Sequence, residues 1–352
     1  MTSLSPASTP IAVLLNANAR LVTEKVRRNL AKIVPSANLF LSQTPEEAHA
    51  CVKEIIDNRY EVVFSGGGDG SFIHLLNLAR DYVRERNLEV QKAGSGNLYE
   101  LPQFGILKLG TGNGISTFVG SRGGTKLLER ALHSQALSTL EMNLIEMGDR
   151  VFHFAGSGFD ARVISDYRLF MNSLPSPAAR KNFSGLVGYF CSGLGKTVPE
   201  SLLKPDRGEV RIEAELADEA YLVKHARGID EAVAAEKTLL YEGPSTIVGV
   251  ATEPFYGYNI RAFPFARMKA GYMNLRILRA KPMTLVTQMQ QFWNGSYRGT
   301  GVIDYLVKKV KITYEKSTPL QIGGDFESFT NAISYSIFPQ ALRLVDFRHM
   351  IG

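Results

Sequence analysis

Five apolar residues in a row, Ile11 to Leu15, give way to the polar patch Asn16-Ala17-Asn18-Ala19-Arg20. A short apolar run closed by turn residues predicts a buried strand. The period then changes. Val22, Val26, Leu30 and Ile33 share one face of a helix expected over Leu21 to Ile33. A second strand is expected over Asn38 to Leu41. Thr44-Pro45-Glu46-Glu47 is a helix start, with Thr as N-cap, Pro in the first helical position and Glu in the third. That helix should reach about Asp57. Glu61 to Phe64 reads as a third strand, followed at once by Ser65-Gly66-Gly67-Gly68-Asp69-Gly70-Ser71. Phe72 to Val83 has helical spacing. A polar surface loop is expected from Arg86 to Gln103, then a strand from Phe104 to Leu109, the run Gly110-Thr111-Gly112-Asn113-Gly114, and a helix from Gly124 to His133. Strands alternating with helices predict a parallel sheet with helices on both faces.

From about Leu140 the texture changes. Strand-like runs lie at Glu141–Met147, Val151–Ala155, Val210–Leu216, Lys237–Leu240, Thr246–Ala251, Met273–Leu278 and Val310–Tyr314. Only Asp160–Phe170 and Thr284–Trp293 look helical among them. The expected division is an α/β domain over 1–143, a β-rich domain over 144–334, and a last segment, 335–352, that returns to the first domain.

Length and composition narrow the partners. A chain of 352 residues suits two domains, and 45% apolar with 21% charged residues is a globular balance. The net charge of +6 suits phosphate binding or an anionic membrane, but no Lys/Arg-dense tract marks a nucleic-acid arm. Cys51 and Cys191 form neither a metal motif nor a disulfide framework, which points to a reducing, cytoplasmic setting. No apolar stretch is long enough to span a bilayer, so membrane contact is expected to be peripheral. The oligomeric state, a homodimer included, is left open.

The glycine runs carry the chemistry. Glycines after a strand let a ligand press against bare backbone, and the amides opening the next helix form a phosphate site. Asp69 sits among those amides. Three roles fit it: holding Mg²⁺ through water, orienting a hydroxyl, or locking the loop by accepting amide hydrogen bonds. A turn with an Asp cap and no ligand is the plain alternative. The run is not a Walker loop, since no Lys-Ser/Thr pair follows, and its glycine spacing differs from a dinucleotide fingerprint. A second loop, Leu109 to Gly114, would lie on the same carboxyl edge of the sheet, where ligands of such sheets bind.

Gly67-Gly68-Asp69-Gly70-Ser71 paired with Leu109-Gly110-Thr111-Gly112-Asn113 resembles the diacylglycerol kinase catalytic-domain family, which includes sphingosine and ceramide kinases. Leu14-Leu15-Asn16-Ala17-Asn18 is similar to the family's first strand and turn. Ala155 to Ala161 resembles its Gly-Phe-Asp-Ala segment, and Gly323-Gly324-Asp325-Phe326-Glu327 its late Asp-Gly-Glu motif. The resemblance implies a three-layer α/β domain of the NAD kinase and phosphofructokinase type, a C-terminal β-sandwich, and a cleft between them. It implies a lipid kinase using ATP and Mg²⁺ at the inner face of a membrane. Asn16, Thr44, Gly66, Gly67, Gly68, Asp69, Gly70, Ser71, Thr111, Gly112 and Asn113 would hold the nucleotide. Asp160 would bind the substrate head. Glu327, with Asp325 as partner and Asp69 beside the phosphates, would be the catalytic acids, Glu327 first as general base.

Some positions depart from the family. His74 stands where a Glu is usual, Gly114 where an Asp is usual, Lys108 for a Pro, and Ala270 for an Asp that supports a structural Mg²⁺ site in some relatives. His74 reads as a surface helix residue or as an altered link to the nucleotide. Tyr167 to Leu203 mixes apolar, basic and glycine residues, as a membrane-meeting flap would, though a helix pair covering the β domain fits equally. Phe255, Tyr256, Tyr258, Phe263 and Phe265 could line an apolar tunnel or pack a core. Two other functions stay open: a kinase of a soluble substrate, as in NAD kinase, and a lipid-binding protein with reduced catalysis.

Overall fold

The computed structural model describes residues 10–110, 112–122, 125–133, 137–176, 208–226, 228–257 and 259–348. The chain divides into two compact units, Met1–Met142 with Ala341–Gly352, and Asn143–Gln340.

In the first unit the strands are β1 (Ile11–Asn16), β2 (Leu39–Ser42), β3 (Val62–Gly67), β4 (Gln103–Lys108) and β5 (Thr139–Met142). The helices are α1 (Glu24–Leu30), α2 (Pro45–Asp57), α3 (Asp69–Ala93), α4 (Gly114–Phe118) and α5 (Thr125–His133). Strand β1 pairs in parallel with β2 and β3, and β3 with β4. Every residue of β3 is buried, as are all but the last of β1, which is why Ile11 to Leu15 and Val62 to Phe64 are continuous apolar runs. Thr44 caps α2, its Oγ1 accepting from the Glu47 amide at 3.2 Å, and the Glu47 carboxylate accepts from the Gln43 amide at 2.6 Å.

The loop expected from Arg86 is instead helix as far as Ala93. Residues 71–93 contain neither Gly nor Pro, so nothing stops α3 until Gly94 adopts a left-handed cap at φ 67°. The following stretch is fastened back. Asn87 exchanges two hydrogen bonds with the Tyr99 backbone, at 2.9 and 2.7 Å, and Arg59 lies over the Tyr99 ring.

The second unit holds β6 (Ile145–Met147), β7 (Arg150–Phe152), β8 (Phe154–Gly158), α6 (Phe159–Ser173), β9 (Gly208–Ala214), β10 (Ala220–Ala226), β11 (Ile229–Ala234), β12 (Leu239–Ser245) and β13 (Ile247–Ala251). It continues through β14 (Met273–Leu278), α7 (Pro282–Thr287), α8 (Met289–Trp293), β15 (Val302–Val307), β16 (Lys309–Ile322) and β17 (Asp325–Ile337). Its twelve strands form one antiparallel network. The long strand β16 links two groups: residues 310–314 pair with β9 and residues 320–322 with β8, with an irregularity between Thr313 and Thr318. A strand that changes partners in this way is how two layers of a sandwich are joined.

The strands β10, β11, β15 and β17 were not among those expected. In β15 the alternation is interrupted by Asp304, which is buried against Arg276 at 3.4 Å, so a charge stands at a core position. The helix expected over Thr284–Trp293 divides into α7 and α8 at Gln288, whose φ of −112° is not helical. The return to the first sheet begins at Ala341 rather than at residue 335, because β17 stays paired with β6 through Ile337. The last strand, β18 (Leu342–Val345), then completes a six-stranded sheet of order β2-β1-β3-β4-β18-β5, parallel to β4 and antiparallel to β5. Among the described residues no helix is long and apolar enough to cross a membrane.

The return segment is held by its apolar side chains. Phe347 is fully buried, its ring centroid 6.1 Å from that of Phe64. Truncation to Ala should cost about 3–5 kcal/mol. A urea titration of Phe347→Ala should show the first unit's transition at clearly lower denaturant, and an unchanged midpoint would mean that the segment does not anchor the sheet.

Candidate active site

The two glycine loops meet backbone to backbone. The Leu109 amide donates to the Gly67 carbonyl at 3.3 Å, and a Cβ on Gly110 would lie 2.2 Å from the Gly68 Cα. A Cβ on Gly66 would lie 2.3 Å from the Leu15 side chain. Glycine is required here by space.

Asp69 clamps this contact. Its Oδ2 accepts from the Gly114 amide at 2.5 Å and its Oδ1 from the Ile115 amide at 3.2 Å. Of the three roles open to it, loop locking is the one its oxygens perform. Burial lifts its carboxyl to about 6, against the two amides and the nearby Lys108 charge. Asn113 takes a left-handed conformation at φ 53°, and its Nδ2 donates to the Gly110 carbonyl at 2.5 Å. Thr111 lies outside the described residues.

Beside the clamp, at the carboxyl ends of β1, β2 and β3, an open pocket of about 620 Å³, solvent at its mouth included, gathers Asn16, Thr44 and Ser71. Asn16 Nδ2 donates to Ser71 Oγ at 2.8 Å, tying β1 to the first turn of α3. Leu14, Val52 and Leu75 give apolar wall, while Asn18, Gln43 and Ser65 add amide and hydroxyl groups that the sequence reading had not singled out. Gln43 and Asn18 had a local signal, since both flank predicted strand ends. His74 lines the same pocket from α3 and is exposed, so it is a surface helix residue that also faces the pocket. The lining holds no carboxylate. Amides and hydroxyls over an apolar floor suit a neutral heteroaromatic base and a sugar, and the first-turn amides of α3, without intrahelical acceptors, suit phosphate.

In the second unit, Gly323 and Gly324 form a two-residue hairpin turn, with φ of 61° and 92°, and the chain passes straight into Asp325. Desolvation raises the Asp325 carboxyl; Arg168 opposes the rise and Glu327 adds to it. Glu327 is otherwise engaged, its Oε1 accepting from Arg150 Nη1 at 2.6 Å. Asp160, in the first turn of α6, is set deeper. Its Oδ2 accepts from Tyr256 at 3.0 Å and from Gln321 at 3.3 Å, while Oδ1 is buried with no hydrogen-bond partner. Burial lifts this carboxyl too to about 6, against the nearby Ala161 amide, Tyr256, Gln321 and its own backbone amide. The aromatic residues mostly pack a core: Phe263 and Phe265 are buried, and Tyr256 lies against Phe154 with centroids 4.6 Å apart. Tyr258 and most of the 167–203 segment lie outside the described residues. Lys269, next to Ala270, stands over the Tyr221 ring at 4.4 Å, so a side-chain cation occupies that neighbourhood.

The structure therefore brings Asn16, Thr44 and Ser71 to one pocket, and Gly66, Gly67, Gly68, Asp69, Gly70, Gly112 and Asn113 to the clamped loops beside it. Asp160, Asp325 and Glu327 belong to the second unit. Among the described residues no three His, Cys, Asp or Glu side chains converge as metal ligands.

Residues 10–145 match the model of the diacylglycerol kinase catalytic domain. Among solved structures the chain is similar to a diacylglycerol kinase from Bacillus anthracis str. Sterne, with TM-score 0.60, 12% identity, and coverage of 97% of this chain and 98% of that one. It is also similar to a candidate diacylglycerol kinase from the same organism, with TM-score 0.62, 15% identity, and coverage of 97% and 99%. At these identities the likeness shows a shared fold. No curated protein matches the chain.

Asp69→Asn should unfasten the loops. One acceptor oxygen becomes an NH₂ facing a buried amide, which costs about 1–3 kcal/mol. The pH dependence has a defined sign. A carboxyl lifted from 3.8 to about 6 on folding contributes stability that is fully present below about pH 4 and lost as the pH rises through about 6. Urea midpoints measured from pH 4 to 7 should fall with rising pH in the native chain, and less steeply in Asp69→Asn. An identical slope in both would show that Asp69 is not the lifted group.

Proposed function

We propose that this chain, whose residues 10–145 match the model of the diacylglycerol kinase catalytic domain, is a kinase that transfers the γ-phosphate of ATP to the hydroxyl of a membrane lipid. The observation that carries the reading is the convergence of Asn16, Thr44 and Ser71 on one pocket beside two clamped glycine loops. The base and ribose take the pocket, and the polyphosphate runs along the α3 amides. Asp69 acts by holding the loops in register, and His74 adds an imidazole to the pocket wall.

ATP fits these groups. Mg²⁺ has no cage among the described side chains, since both Asp69 oxygens already accept amide protons and no other carboxylate lines the pocket. A hard cation that keeps most of its water would enter on the nucleotide phosphates.

For proton removal from the acceptor hydroxyl we assign Asp325 ahead of Glu327, reversing the order read from the sequence. In an Asp-Gly-Glu motif the acid follows the turn glycine directly, and here that residue is Asp325. Its raised carboxyl binds a proton more readily than an ordinary Asp, whereas Glu327 is already held by Arg150. Asp160, with one buried oxygen unpartnered, suits a hydroxyl or ammonium group of the substrate head. Leu169 and Phe329, 59% and 60% exposed, support peripheral contact of the second unit with a bilayer.

The test is turnover of Mg·ATP against vesicles carrying diacylglycerol, ceramide or sphingoid base. Asp325→Asn should lower kcat about 100-fold or more, at unchanged ATP affinity, and Glu327→Gln should lower it less than about 10-fold by the same scale. The reverse order would return the base to Glu327. Phosphate transfer to NAD and to no lipid would replace the acceptor class, and lipid binding without any turnover would remove the catalytic reading.

A further inference from the structure

A polar connection inside the second unit joins the Asp160 carboxylate to the turn that presents Asp325. Gln321 is completely buried near the end of β16. Its Nε2 donates to Asp160 Oδ2 at 3.3 Å, and its Oε1 accepts from the Gly324 amide at 2.9 Å. A carboxamide is the side chain of this length that can donate at one end and accept at the other. Leu would supply neither function, and an ionised Glu would supply only acceptors.

The position is built for this link. The β16–β17 register shifts between Leu320 and Gln321, so the ladder is irregular immediately before the turn. Gly323 and Gly324 both take positive φ, which leaves the turn without side chains of its own to fasten it. The Gln321 bond to the Gly324 amide supplies that fastening one residue before Asp325. On the opposite side Gln321 pairs in register with Gly156 of β8. A Cβ on Gly156 would come within 2.2 Å of Asp160 Oδ2 and 2.7 Å of Gln321 Nε2. The bare backbone at Gly156 therefore makes room for both groups. Tyr256 completes the contact by donating to the same carboxylate oxygen. The other ionisable groups facing this cluster are Tyr314 and Tyr335, whose hydroxyls the Asp160 charge raises, and Arg168 and Glu327, which act on Asp325.

We propose that Gln321 is a positioning residue, which fixes the direction of Asp325 by tying the Gly324 amide to the buried Asp160 carboxylate. This rests on the kinase reading above for its catalytic consequence. The link itself does not.

The test uses the full chain with Gln321→Leu and Gln321→Glu, Mg·ATP, and vesicles of the best lipid acceptor. Gln321→Leu should lower kcat about 10- to 100-fold, the scale of a roughly 1 Å misplacement, with KM for ATP within about two-fold of native. Gln321→Glu keeps an acceptor for Gly324 but sets two carboxyl groups against each other, and one proton must be shared between them. Its deficit should shrink as the pH falls toward about 6 and widen above it, a profile the native chain lacks. Native kcat in Gln321→Leu, or equal losses of kcat and ATP affinity, would overturn the proposal. Should Gln321→Leu fail to fold, the nearly isosteric Gln321→Glu decides by its pH profile. If the native chain phosphorylates no lipid, the kinase reading fails separately, and hydrogen exchange at the Gly324 amide then reads the link. Faster exchange at that amide in either folded variant is expected, and exchange at the native rate would overturn the proposal.

Discussion

The first unit depends on one buried carboxylate. Two strand ends, β3 and β4, finish in glycine runs whose backbones touch, and only the absence of side chains lets them touch. Such a contact has little apolar area to hold it. Asp69 supplies the hold with two hydrogen bonds to the first amides of α4. An ionised acceptor makes stronger hydrogen bonds than a neutral one, yet burial makes its charge costly. The lifted carboxyl records that balance. With the loops clamped, the α3 amides and the Asn16–Thr44–Ser71 pocket keep a fixed relation to each other.

The same economy of means recurs in the second unit. Gln321 lies in an antiparallel network whose β8 strand contributes a bare glycine where its side chain and that of Asp160, from α6, approach. Buried polar groups of this kind stabilise a particular arrangement only when they are nearly all satisfied. Asp160 Oδ1 is the exception in the cluster.

The departures from the family pattern take on physical meaning in this light. Gly114 stands where an acid is usual, but its contribution is an amide proton given to Asp69, and any residue with the right backbone could supply that. His74 occupies a pocket wall that contains no carboxylate, so the electrostatics of that wall differ from those a Glu would create. Lys108 reaches the clamp through its charge, lowering the Asp69 carboxyl against the effect of burial.

Several features were settled by local chemistry and so were legible in the residues themselves. Thr44-Pro45 fixes the start of α2, because a cap is a contact within one turn. The run Ile11 to Leu15 and the alternation of strands and helices fix the parallel sheet, because burial on both faces demands apolar residues throughout. Met273–Leu278 was legible as a strand for the same reason. Other features required distant partners. The length of α3 follows from what fails to stop it, and its continuation is secured by Asn87 and Tyr99. Strand β15 carries a buried Asp304 that Arg276 and Asn274, both from the neighbouring strand β14, make tolerable. The role of Asp69 as a clamp and the pairing of Glu327 with Arg150 depend on groups far away in the chain. Backbone amides carry no signature in a sequence, and a carboxylate's partner is chosen by the fold. The residue types and their spacing thus determined the elements and the glycine loops, while the tertiary structure decided which acid holds and which is held, because a carboxylate's partners are set by packing.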